Sequence, residues 1–105
     1  MPAALKHDVF QAIADPTRRR LLRLLADEEM PVGALSGHFP TSRTAVSKHL
    51  RVLEDAGLVD HHKLGRQRLY RLRPEPLVEV KAWLAFYERF CDKRVADLKA
   101  FVEDR

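Results

Sequence analysis

Apolar positions recur at helical spacing in five stretches of this chain, and alternate at spacing two in one short region between the fourth and the fifth. Leu5, Val9, Phe10 and Ile13 fall on one side of a first helix over about residues 5–14. Asp15 then reads as a cap and Pro16 as the first residue of a second helix, over about 16–26, a place where the missing proline N–H costs nothing. In that helix Leu21, Leu22, Leu24 and Leu25 point inward. Met30-Pro31 allows only a short extended piece. Residues 32–39 then form a short helix with Val32, Leu35 and Phe39 inside, ended by Pro40.

The stretch TSRTAVSKHLRVLEDAGLV, residues 41–59, organises the rest. Thr41 or Ser42 supplies a hydroxyl cap, and Gly57 supplies the left-handed residue that stops the helix. Val46, Leu50 and Leu53 share one face, while Thr44, Ser47, Lys48 and Arg51 collect on the opposite one, with no acid before Glu54 and Asp55. A short helix, a tight connection and a cationic helix make a helix-turn-helix, spanning 32–57. Arg or Lys on such a face can chelate guanine, and Ser or Thr can bond a base edge or a phosphate. A solvated amphipathic helix would carry the same pattern, so the flanking elements decide between the two.

Downstream, Tyr70 and Leu72 alternate with Arg71 and Arg73, and Gly65 joins this run to DHHKL. The pattern predicts a hairpin of two main strands over 59–73, with Gly65, Arg66, Gln67 and Arg68 at its tip. His61 and His62 are adjacent on a strand, face opposite ways and so cannot chelate one ion together. A last helix, 76–104, has no internal proline or glycine. One apolar set contains Val80, Leu84, Tyr87, Cys91, Val95 and Leu98, and a second contains Trp83, Phe86 and Phe90. One face can pack on its own subunit, and the other needs another cover, for which a second copy is the economical answer. The expected interface comprises Leu5 and Val9 from the first helix with Val80, Trp83, Leu84, Tyr87, Cys91, Val95 and Leu98 from the last. The architecture expected is therefore one domain over 1–105, mainly α with a small β-hairpin wing. It has five helices and two main strands, and dimerises through the first and last helices.

Charge sharpens this picture. The formal net charge of the 105 residues is only +4. Between Arg43 and Arg73, however, eight Lys and Arg face three acids, so that window carries +5 and the remainder −1. The positive field sits on the cationic helix and the hairpin. Arg18, Arg19 and Arg20 at a helix start oppose its dipole, so something besides that helix's stability holds them there; a solvated face paired with Asp15 or Asp27 and a phosphate contact both fit. One cysteine cannot staple the fold, no signal-peptide pattern opens the chain and no apolar run reaches membrane-spanning length, which points to a reducing, cytoplasmic location. Cys91 reads as a buried thiol, unless a dimer axis passes close enough for an intersubunit disulfide.

The motifs ADPTRRRLLRLL, TSRTAVSKHLRVLEDAGLV and LGRQRLYRL, in that order, closely resemble the ArsR/SmtB family of bacterial winged helix-turn-helix repressors. The likeness is strong over residues 9–73. It implies a homodimer that holds two reading helices about one DNA turn apart on a partly palindromic operator, often by the repressor's own gene, in the nucleoid. Carried over motif by motif, Ser42, Arg43, Thr44, Ser47, Lys48 and His49 belong to the reading helix and Arg66 and Arg68 to the wing tip, and Arg51 joins them from its place on the cationic face. The family's metal sites do not carry over. Pro31 and Gly33 stand where thiolate-site members place cysteines, and residues 76–105 contain no histidine, so neither metal nor cofactor is expected and the chain looks like the metal-independent branch. No nucleophile elbow, phosphate loop or HExxH supports catalysis. The expected partners are double-stranded DNA and a second copy of the chain, with any inducer left open. A ligand- or redox-gated sensor on the same fold, or a protein-interaction module with an incidental basic face, are the competing readings.

Overall fold

The computed structural model describes the backbone of residues 7–103 and the side chains of residues 7–90 and of Val102. Helix α1 (Val9–Ala12) is followed by α2 (Pro16–Asp27), strand β1 (Met30–Pro31), α3 (Val32–Ser36), α4 (Arg43–Asp55), strands β2 (Val59–Leu64) and β3 (Gln67–Leu72), and α5 (Leu77–Glu103). Five helices and a small antiparallel sheet thus form the expected winged architecture.

The boundaries follow from caps. Helix α1 begins at Val9, because Asp8 closes a capping box: its side chain accepts from Gln11 N (2.7 Å) and its N–H donates to Gln11 Oε1 (3.1 Å). Asp15 caps α2 and Ser42 caps α4. Helix α3 stops at Ser36, short of Phe39, where Gly37 forms the C-cap. Helix α4 ends in a Schellman arrangement: Leu58 N donates to Leu53 O and Gly57 N to Glu54 O, both at 2.9 Å, with Gly57 at φ 77°. Leu53 and Leu58 are both buried, so this stop also closes the core.

The sheet has three strands in the order β1-β3-β2, the two main strands expected and, at the edge, the short extended piece Met30-Pro31. Met30 pairs with Tyr70 and Pro31 with Leu69, an edge position where proline is tolerated. In the hairpin Leu64 lies opposite Gln67, which leaves Gly65-Arg66 as a two-residue turn. Only Gly65 of the pair has positive φ (65°), the type II′ pattern whose twist matches the strands. Asp60 sits directly across from Arg71 and accepts a hydrogen bond from its Nε. That bond, against the opposing effect of burial and helped by the charges of Arg71, Arg73 and His61, holds the Asp60 carboxyl below the ordinary range. A depressed folded pKa gives stability that is complete above about pH 4 and is lost as pH falls through the folded value. Asp60→Asn should therefore lower the thermal midpoint at pH 7 by about 2–3 °C, a small effect because the pair is partly solvent-exposed, and should lower it by less at about pH 3, where part of that stability is already lost. Parallel thermal scans at the two pH values check both halves of this expectation.

Leu21, Leu25, Leu35, Val46, Leu50, Leu53, Leu58, Val59 and Tyr70 build one core between the helices and the sheet. Val9 belongs to it at 5% exposure. It is therefore spent inside its own subunit and does not face a partner as expected. Val80 and Leu77 pack partly against the same core. Beyond Val80 the helix leaves the body, and every residue from 81 to 90 is exposed. Leu5 lies outside the described residues, as do the side chains of Cys91, Val95 and Leu98.

Candidate nucleic-acid interface

Helix α4 buries Val46, Leu50 and Leu53 completely, which fixes what its other side shows. Arg43, Thr44, Ser47, Lys48 and Arg51 are exposed. Together with Arg66 and Arg68 of the wing they line one concavity of about 840 Å3, floored by residues 31–34 and by Tyr70. Seven of the nine residues singled out from the sequence are thus brought to a single surface by the packing of hairpin against helix. Among the described residues none of the cations Arg43, Lys48, Arg51, Arg66 and Arg68 forms an ion pair, whereas Arg71 and Arg73 are engaged by Asp60. Free cations gathered around one concavity make a field that attracts polyanions.

The remaining two residues sit elsewhere. Ser42 is spent as the cap, accepting from Ala45 N at 3.1 Å. His49 is turned away from the concavity, where Arg18 Nη1 donates to its Nδ1 (3.2 Å) and the Asp15 carboxylate lies 3.9 Å away. It is not among the residues that line the concavity, because its position beside the apolar stripe carries it toward α2. Burial raises the Asp15 carboxyl, but the backbone N–H of Arg18 and the charge of its guanidinium act against it, and the net shift is downward.

Two details escaped the sequence. Gly33 faces the Arg43 guanidinium, whose Nη1 lies 3.8 Å from where a Cβ would stand, so α3 offers that side chain a smooth bed. The two wing histidines anchor the hairpin to the body instead of simply coating it. His61 Nδ1 meets Glu54 Oε2 at 2.7 Å, and His62 Nε2 meets Glu29 Oε1 at 2.6 Å. Their opposite directions follow the strand alternation. Pro31 and Gly33 offer no ligating side-chain atom, so a thiolate metal site on α3 does not fit this chain.

A hydroxyl-lined cationic helix set beside a basic-tipped hairpin defines a winged helix-turn-helix, the fold class of DNA-binding transcription regulators. The helix-turn-helix domain family matches residues 13–62. The transcriptional repressor SdpR of Bacillus subtilis is 36% identical over 78 residues, covering 74% of this chain and 87% of SdpR. The crystal structure of a possible transcriptional regulator for arsenical resistance superposes with a TM-score of 0.71 at 49% identity, over 82% of this chain and 91% of that one. The solution structure of the homodimeric winged helix-turn-helix domain of Mb0332 from Mycobacterium bovis, a possible ArsR-family regulator, gives 0.61 at 28% identity, over 76% of this chain and 74% of its own. The chain belongs to the ArsR/SmtB family of transcriptional regulators.

Proposed function

We propose that this protein is a homodimeric repressor that occupies a partly palindromic operator, including one at its own promoter, and blocks transcription there. The observation that carries the reading is the gathering of Arg43, Thr44, Ser47, Lys48, Arg51, Arg66 and Arg68 around one concavity, with the cations unpaired among the described residues. Arg43, Thr44, Ser47 and Lys48 read base edges in the major groove, and Arg51, Arg66 and Arg68 anchor phosphates. The second copy supplies the second reading helix. Its support is the exposed aromatic face of α5, on which Trp83, Phe86 and Phe90 are 53%, 62% and 55% exposed, more apolar surface than one subunit leaves uncovered without purpose. The homodimeric Mb0332 domain supports the same assembly. Acting on the bacterial chromosome, such a repressor resides in the cytoplasm on the nucleoid.

Fluorescence anisotropy with a duplex from upstream of the gene, against a scrambled duplex, tests this reading. Preference for the upstream duplex is expected, and none at low salt would leave the basic face incidental. Within that assay Arg43→Ala should lower affinity for the site by about 1–3 kcal/mol and relax discrimination at one base pair, as expected for a bidentate guanine contact. An equal loss on every sequence would move Arg43 from base reading to phosphate anchoring.

A further inference from the structure

The arginine run at the start of α2 is absorbed neither by α2 itself nor by the cationic concavity. Its first two members reach back to the preceding helix. Arg18 Nε donates to Ala12 O (2.7 Å) and its Nη2 to Gln11 O (3.1 Å), and Arg19 Nη1 donates to Ile13 O (2.7 Å). Ala12 O and Ile13 O are carbonyls that the end of α1 leaves without helical partners, whereas Gln11 O also accepts from Ala14 N at 3.2 Å; cations suit such a helix end. Arg18 does one thing more: its Nη1 donates to His49 Nδ1 at 3.2 Å, across 31 residues of chain, in the middle of α4. One planar guanidinium thus grips the end of α1 and the helix that faces DNA, a three-way geometry that a lysine ammonium on its flexible stem does not reproduce. Asp15 steadies the joint from below by accepting from Arg18 N at 3.0 Å. Helix α1 is also tied to α5, where Phe10 meets the edge of Trp83 with ring centroids 5.8 Å apart.

We propose that Arg18 is a positioning residue for DNA recognition, fixing through His49 the angle at which the reading helix is held out from the α1–α5 platform. The proposal rests on the DNA-binding reading above and assigns His49 a role in orientation instead of contact. A two-fold regulator needs both reading helices at a set tilt to enter successive grooves, so a loosened joint costs selectivity before it costs general attraction to DNA.

The test measures, for wild-type, Arg18→Lys, His49→Ala and the double variant, the ratio of affinities for the upstream and scrambled duplexes, together with the salt slope on each. Either single change should lower the ratio about tenfold, and the double variant should lose no more than either alone, since both break one link. The salt slope should stay at the wild-type value because no phosphate contact is removed. Arg19→Ala, which removes a carbonyl cap from α1 without touching α4, should keep the ratio even if its thermal midpoint falls. Additive losses, a flatter salt slope in His49→Ala, or an equal drop in Arg19→Ala would overturn the proposal in favour of direct contact or general destabilisation. A wild-type protein with no preference between duplexes would sink the DNA-binding reading itself and this proposal with it; preference kept by Arg18→Lys and His49→Ala would sink the positioning role alone.

Discussion

Trp83→Glu is expected to give a folded monomer whose affinity for its operator has fallen by about two orders of magnitude or more. Trp83 stands on α5 just beyond the point where the helix leaves the core, with more than half of its surface open. Within the subunit its described ring partners are Phe10, edge-on at 5.8 Å, and Tyr87, at 5.2 Å. Losing these contacts leaves the core around Leu21, Leu50 and Leu53 intact, so the subunit should keep its helical signal. A carboxylate in the middle of the proposed α5 interface is a different matter: in a two-fold dimer it would face its own copy, and two like charges would lose their water together. Tethered half-site contacts gain about 10²- to 10⁴-fold over separate ones through effective concentration, and a monomer forfeits that gain. Sedimentation velocity and anisotropy titration on the same sample decide the matter. A Trp83→Glu protein that still sediments as a dimer would remove α5 from the interface. A monomer that binds as tightly as wild type would show that one reading helix suffices.

The paired replacement of Arg66 and Arg68 by alanine is expected to weaken binding to every duplex and to lower the salt slope by nearly two. Both side chains lie at the exposed end of the hairpin on the rim of the concavity, and neither is engaged by an acid among the described residues. Each phosphate neutralised contributes about 0.9 to the slope of log affinity against log salt on duplex DNA, through release of condensed counterions. Preference among sequences should survive, because phosphates carry no base identity. An unchanged slope in anisotropy titrations over several salt concentrations would take the wing off the backbone. A loss confined to one sequence would give the wing a reading role in place of an anchoring one.

The contrast between these arginines and their neighbours shows where sequence reasoning stops. Arg66, Arg68, Arg71 and Arg73 look alike as letters in one basic run. Strand register sets Arg71 opposite Asp60, and Arg73 reaches the same carboxylate, while Arg66 in the turn and Arg68 opposite Lys63 meet no acid among the described residues. Likewise, Arg18 and Arg19 were marked by their conflict with the dipole of α2, and the resolution lay in the carbonyls of α1, brought back within reach by the turn at Asp15-Pro16. His49 follows Ser47 and Lys48 in the chain, which line the concavity, but is itself held against Arg18 of α2.

Local chemistry written in consecutive residues was legible. The cap at Asp15, a hydroxyl cap at Thr41 or Ser42, the stop at Gly57, the turn at Gly65 and the inward set Val46, Leu50 and Leu53 all follow from period and side-chain type, and with them the helix-turn-helix and its wing. That the short extended piece Met30-Pro31 joins the sheet was not legible, because two residues are too few to show alternation and they pair with a strand about forty positions away. Nor was the allegiance of Val9, whose apolar side chain suits its own core and a dimer face equally until α1 is packed. Periodicity states which side of an element avoids water; only the packed chain states what that side meets, because contacts between distant residues depend on where every element between them has been placed.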